Sequence, residues 1–295
     1  MRRKFNFVGR RKLWYLLSLL IIIPGMISFS VQGLNTGIDF TGGNIFRLQF
    51  EQQVDTGQLR EVMGAENMKD FSLQQSGERQ FIIRTPELAE EDSKQLLRDL
   101  EQKLGKLEVL GNDKVGAVIG AELRKNAIMA LVIASILMVI YITIRFEFFF
   151  AIAAITALLH DVMVTVSIFS LFRIQVDSAF VAAILTIIGY SINDTIVIFD
   201  RIRENLKLHR KESLEELVNN SISQTLTRSI NTVLTVVMAL LALIFLGGET
   251  TRVFALAMLV GTLSGTYSSI FTASPLWIDL RGWRKRQYSA QRARA

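Results

Sequence analysis

Asp194 stands inside an apolar run, and a carboxylate in that setting can bind and release an ion. The run from Asp177 to Asp200, DSAFVAAILTIIGYSINDTIVIFD, supplies roughly 20 residues at about 1.5 Å each, enough to cross a bilayer as a helix. An Asp at the bilayer centre costs about 2.5–3.5 kcal/mol on insertion scales, so it is expected to face a partner or a water-filled path. Arg228 begins a second apolar run, and helical spacing puts Gln224, Thr225, Arg228, Asn231, Thr232 and Thr235 on one side of it. Asp194 lies six residues before Asp200, about 9 Å along a helix. Arg228 enters from the same end, so antiparallel neighbours would bring the two to similar depth, and the spacing predicts an Asp194–Arg228 pair. The guanidinium keeps its proton, which leaves Asp194 as the member that titrates. Protonating Asp194 would free Arg228 to move or to find another partner, which is a bistable element. The plainer alternative has Arg228 reaching to lipid head groups and Asp194 sitting in a packing network.

His160 and Asp161 lie near the middle of a third run, with Thr165 four residues beyond the acid. Neighbours on a helix point about 100° apart, so the two do not share one face. One of them is expected to face Asn193 or Asp194, which makes Asp161 a second candidate for an ion path; a packing hydrogen bond fits equally well. His160 has no second His or acidic cluster at ligand spacing, so no metal site is expected. Gly261 and Gly265 form G-x-x-x-G ahead of Ser268, Ser269 and Thr272, a small face that indicates close helix packing rather than chemistry. The chain has no phosphate-binding glycine loop, no nucleophile beside a base and no H-E-x-x-H; Gly42-Gly43 alone is too short to count. No enzyme activity and no cofactor are expected. Work would have to come from an ion gradient, worth about 2.3 kcal/mol per charge per 100 mV.

The elements that must position these groups follow from composition. Half of the 295 residues are hydrophobic and they come in runs, which is a membrane composition. Cysteine is absent, excluding disulfides, thiol catalysis and thiolate metal sites. The net charge of +6 does not indicate nucleic acid, because the basic residues flank apolar runs, where membrane orientation accounts for them.

Residues 1–12, with Arg2, Arg3, Lys4, Arg10, Arg11 and Lys12, read as a cytoplasmic basic N-terminus, and residues 13–31 as an uncleaved first span in which Pro24 and Gly25 could introduce a kink. Residues 32–122 read as an extracytoplasmic α+β domain: a strand over Asn44 to Gln52, a helix over Val54 to Gly64, a hairpin over Asp70 to Thr85 turning at Ser76-Gly77, an amphipathic helix over Glu87 to Leu104 and a last strand within Lys106 to Ile119. That order, βαββαβ, is ferredoxin-like. Residues 123–275 hold spans two to six, at Asn126 to Ile144, Phe148 to Phe169, the Asp194 run, Leu226 to Leu246 and Val253 to Ala273. A basic helical hairpin, 200–224, is placed in the cytoplasm and contains Arg201, Arg203, Lys207, Arg210 and Lys211. Residues 276–295 form a basic tail, with Arg281, Arg284, Lys285, Arg286, Arg292 and Arg294, on the same side as the N-terminus. The expected fold is six transmembrane helices with one small ferredoxin-like outer domain.

Several stretches resemble the SecD/SecF family of bacterial protein-export membrane subunits, related to the resistance-nodulation-division transporters. They are GIDFTGGNI (Gly37 to Ile45), VGAVIGAELRKNAI (Val115 to Ile128), YITIRFEF (Tyr141 to Phe148), LLHDV (Leu158 to Val162), GYSINDTIVIFDRIREN (Gly189 to Asn205) and TLTRSINT (Thr225 to Thr232). They span nearly the whole chain in the family's order, and the Gly189 to Asn205 match is the most specific. Ala117 departs from the pattern, which has proline there, and this bears on the bend before the second span. The resemblance implies a multi-pass protein of the bacterial plasma (inner) membrane with both termini cytoplasmic. It implies a complex with SecD that uses the proton, or in some members the sodium, gradient to draw a preprotein from the SecYEG channel after SecA has driven it forward. It also implies ion coupling at an Asp of the fourth span and an Arg of the fifth, which fall on Asp194 and Arg228; Asp161, Asn193 and Asn231 are the further candidates. A small-molecule exporter of the same superfamily would need a larger outer domain and a second repeat. A scaffold that holds a translocon together would need no titratable Asp194.

Overall fold

The computed structural model describes residues 5–65, 71–209 and 212–282, with the backbone alone at Ala65, Glu249 and Thr250. Arg2, Arg3, Lys4, Arg210, Lys211, Arg284, Lys285, Arg286, Arg292 and Arg294, used above to argue orientation, lie outside the described residues. In chain order the main elements are α1 (Arg11–Gln32), β1 (Gly43–Phe50), α2 (Thr56–Ala65), β2 (Ser72–Gln75), β3 (Gln80–Thr85), α3 (Glu90–Leu104), β4 (Leu107–Val115), α4 (Ala117–Arg145), α5 (Phe148–Leu171), α6 (Ser178–Leu208), α7 (Leu214–Leu246) and α8 (Glu249–Ser268). A π-helical turn at Ser269–Ala273 interrupts the last helix, which continues to Gly282. Two compact units result, Thr36–Ile128 and the rest of the chain.

Among the described residues six helices are long and apolar enough to cross a membrane, and the chain is a multi-pass membrane protein. α5, α6 and α8 are the inner helices; α1, α4 and α7 leave most of their apolar surface uncovered. Small residues permit the closest approaches. Gly25 of α1 has no room for a side chain against Ser167 of α5, and α1 passes unbroken through Pro24. Gly261 and Gly265 of α8 lie against Ile187 and Ser191 of α6, so the G-x-x-x-G face is the α6–α8 contact. α6 starts where the Asp177 carboxylate accepts the amide of Phe180 at 3.0 Å, and α7 where the Ser213 hydroxyl accepts that of Glu216 at 3.2 Å. The hairpin expected over 200–224 is built from the last turns of α6 and the first turns of α7 rather than from separate helices. At that end Phe150 stacks on Trp277 at 4.5 Å and lies 4.9 Å from Phe199.

The small unit has the βαββαβ order read from the sequence, with an antiparallel sheet in the order β2-β3-β1-β4. Alternation places Phe46, Leu48 and Phe50 of β1 with Phe81 and Ile83 of β3 on one face, where Leu59 and Met63 of α2 and Leu96 and Leu100 of α3 cover them. The glycine pair has a specific use. Gly42 and Gly43 have φ of 75° and 135°, and a Cβ on Gly42 would lie 2.7 Å from the Cα of Ala117. The loop thus packs backbone to backbone on the start of α4. Ala117 donates its amide to Glu87 Oε2 at 3.1 Å, a bond that proline could not make.

Candidate functional site

The inward stripe of α6 includes Ser191, Thr195 and Ile198, all buried. Asp194 is offset from that stripe by helical rotation and turns toward α7. Its Oδ1 accepts a hydrogen bond from Ser229 Oγ at 2.7 Å. Its Oδ2 is buried and has no hydrogen-bond partner. Beside it is a cavity of about 120 Å³ whose lining includes Asp194, Asn193, Tyr190, Arg228, Thr232 and Gly265. The Tyr190 hydroxyl is likewise buried without a partner. The lining also includes Val197 and Val233, and a volume of this size accommodates a small cation or a few waters, each water occupying roughly 30 Å³.

Arg228 shares this cavity, but the ion pair expected from the spacing is not formed: Asp194 is bonded to Ser229 and its second oxygen is free. Arg228 and Ser229 are neighbours on α7 and so point about 100° apart. Ser229 is fully buried and takes the position facing α6, which turns Arg228 toward the exposed side. The polar stripe of α7 divides in the same way. Thr225 is buried, beside Ser221 and Ser229, which the stripe did not include, whereas Gln224, Arg228, Asn231, Thr232 and Thr235 are exposed. Asn231 is therefore not brought to Asp194. Asn193 is, and with Tyr190 it also lines a groove of about 730 Å³ between α4 and α6.

Asp161 is fully buried, and its carboxylate bonds to residues other than Asn193 and Asp194. Its Oδ1 accepts from Ser264 Oγ at 2.7 Å and its Oδ2 from Ser191 Oγ at 2.5 Å and Ser268 Oγ at 2.8 Å. His160 Nδ1 lies 2.9 Å from Oδ1, so the two adjacent side chains meet despite the 100° between their positions. A carboxylate opposite Nδ1 makes that nitrogen the donor, and Nε2 lies 2.9 Å from Ser18 Oγ on α1. Thr165 is occupied with the Asp161 carbonyl at 2.9 Å. Sequence reasoning found both acids because a charge in an apolar run stands out. It missed Tyr190, Ser191, Ser229 and the two α8 hydroxyls at 264 and 268 as participants, since serine and tyrosine are ordinary in such runs and only the tertiary pairing selects them.

Comparison with known proteins agrees with this architecture. Residues 93–283 match the family described as "Protein export membrane protein SecD/SecF, C-terminal", and residues 27–54, which include Gly42 and Gly43, match the "SecD/SecF GG Motif". The protein translocase subunit SecF of Sebaldella termitidis is 43% identical over 281 residues, covering 93% of this chain and 91% of that one. The corresponding subunit of Acidaminococcus fermentans is 44% identical over 292 residues, covering 96% and 100%. The protein translocase subunit SecDF of Bacillus subtilis is 38% identical, and the match covers 98% of this chain but 40% of the longer protein. The crystal structure of SecDF from Thermus thermophilus, described as a translocon-associated membrane protein, superposes with a TM-score of 0.87 at 40% identity, covering 94% of this chain and 39% of that one. The chain belongs to the SecD/SecF family of protein-export membrane proteins.

Proposed function

We propose that this chain is the SecF-type subunit of a Sec protein-export assembly, and that it uses the proton or sodium gradient, together with SecD, to complete preprotein translocation. The observation that carries the coupling part is Asp194 itself: a half-buried carboxylate within a membrane span, one oxygen bonded and the other buried and unpartnered, beside a cavity it shares with Arg228. Such a group binds an ion without first breaking a bond, and its charge change alters the field at the guanidinium. The chain would act without enzymatic chemistry.

Partnership with SecD is supported by the SecDF relatives, in which a segment like this chain makes up about 40% of a longer protein. The SecYEG channel with SecA and the emerging preprotein are the further partners of this reading. Arg145, Arg201, Arg203 and Lys207 cluster at the hairpin end of the bundle, which supports the reading of a bacterial inner-membrane protein with both termini in the cytoplasm and the residues of the α+β unit extracytoplasmic.

A scaffold reading draws on the Ser229 bond, which by itself could be packing. The two separate in vesicles that contain the full assembly. With an imposed proton or sodium gradient, each applied alone, Asp194→Asn abolishes gradient-dependent export on the coupling reading and leaves it at the wild-type rate on the scaffold reading.

A further inference from the structure

We infer that Asp161 is a positioning residue whose four-donor cradle holds the Asp194 turn of α6 in place, and that it does not itself carry the ion. This rests on the reading of Asp194 as the ion site. A carboxylate offers about four acceptor positions. At Asp161 they are filled by four donors: His160 Nδ1 and Ser264 on Oδ1, Ser191 and Ser268 on Oδ2. Binding a proton or cation there means breaking one of these bonds. At Asp194 one donor is present and one oxygen is free beside a cavity, so nothing need be broken. Asp161, fully buried, and Asp194, half-buried, thus have opposite provisions, and only Asp194 is arranged for exchange.

The cradle acts on the turn that bears Asp194. Ser191, three residues before it, is held by Asp161 of α5, and Thr195, one residue after it, lies 2.7 Å from Ser269 Oγ. The π-helical turn beginning at Ser269 widens the last helix where these contacts are made. Consecutive residues Ser268 and Ser269 both reach inward, one to Asp161 and the other to Thr195. α6 is therefore pinned on both sides of Asp194 by α5 and the last helix, leaving the carboxylate on the face toward α7. The His160–Ser18 contact extends the same network to α1.

The test uses the absence of cysteine from the chain. Val197 lines the Asp194 cavity, so Val197→Cys provides a thiol whose labelling rate reports cavity geometry; Glu78→Cys, in the exposed turn between β2 and β3, is the control. Ser264→Ala, Ser268→Ala and their combination with Ser191→Ala leave both carboxylates in place. In vesicles carrying the full assembly with its SecD partner, they are expected to lower gradient-dependent export roughly tenfold or more, the effect of losing a hydrogen bond to a charged group. They are also expected to change the labelling rate at position 197 and not at position 78. If the alanine variants export and label like wild type while Asp161→Asn abolishes export, Asp161 carries the ion and the inference is wrong. The single-serine variants serve if the triple variant does not accumulate. Should Asp194→Asn keep exporting, the coupling reading fails, and the labelling at position 197 still decides the positioning role by itself.

Discussion

Asp194 and Ser229 are joined across α6 and α7 by a 2.7 Å hydrogen bond that occupies one carboxylate oxygen and leaves the other buried and free. A bond made in only one protonation or ion-binding state biases a two-state equilibrium by its own strength. Hydrogen bonds to charged groups contribute about 1.5–3 kcal/mol, which is roughly ten- to a hundredfold in population. Ser229→Ala is therefore expected to reduce gradient-driven export by at least several-fold without abolishing it, and Ser229→Thr to retain most of it. Export by Ser229→Ala equal to wild type under every imposed gradient would show that the bond is the same in all states and serves packing alone.

The α8 glycines differ in what lies opposite them, and the two should fail in different assays. A Cβ at Gly261 would overlap the Ile187 side chain, whereas one at Gly265 would lie 3.1 Å from Ser191 Cβ. Overpacking costs about 1–3 kcal/mol, so Gly261→Ala should lower the thermal midpoint in detergent more than Gly265→Ala. Gly265 also borders the Asp194 cavity and pushes on the serine that binds Asp161. Gly265→Ala should accordingly lose more export per folded molecule. The same rank order in both assays would contradict this division.

Periodicity and composition explain how much of this was legible in the sequence. Alternation in NIFRLQF and the leucine spacing after Pro86 fix the strand and helix of the small unit, because one buried face dictates a repeat of two or 3.6. Asp194 and Asp161 were legible because an acid in an apolar run has few innocuous explanations. Their partners were not. Helical spacing placed Arg228 at the depth of Asp194, but the depth of a residue does not fix its rotation, and Ser229, one position on, is the residue that faces α6. The Asp161 cradle draws on residues 191, 264 and 268, more than seventy positions apart at the extremes, with the last of them immediately before a π-helical turn that no local pattern announces.

At the hairpin end, Arg145 and Asp200 form an ion pair at 2.7 Å, with both side chains about 40% exposed. Exposed pairs contribute about 0–1 kcal/mol and are screened by salt. Arg145 also lies 5.1 Å from the Phe146 ring centroid, a contact that loss of the acid does not remove. Asp200→Asn is expected to change stability by less than about 1 kcal/mol, with the difference vanishing at high salt. Asp200 Oδ1 also lies 3.5 Å from Arg203, a second, partly exposed contact of the same kind, so a large, salt-independent loss in chemical unfolding would assign Asp200 a role beyond these two pairs.

Among the described residues before α1, the hydrogen bonds to α7 converge on one side chain, Asn219, and that tie can be cut selectively. Asn219 Oδ1 accepts the amides of Phe7 and Val8 at 2.8 and 3.1 Å, and both of these residues are buried in the bundle core. The Phe7 carbonyl in turn accepts from Trp14 Nε1 at 2.9 Å, and the Trp14 ring lies 4.4 Å from that of Phe271. Asn219→Ala leaves two amides without an acceptor, at about 1–3 kcal/mol each where they are buried, which is enough to release the segment while the six helices stay packed. Asn219→Asp keeps the acceptor and should hold it. The readout is the Trp14 emission, isolated as the difference between proteins with and without Trp14→Phe: it should shift to longer wavelength and become accessible to an aqueous quencher in Asn219→Ala only. An unchanged Trp14 signal in that variant would mean that burial of Phe7 and Val8 holds the segment without the two hydrogen bonds.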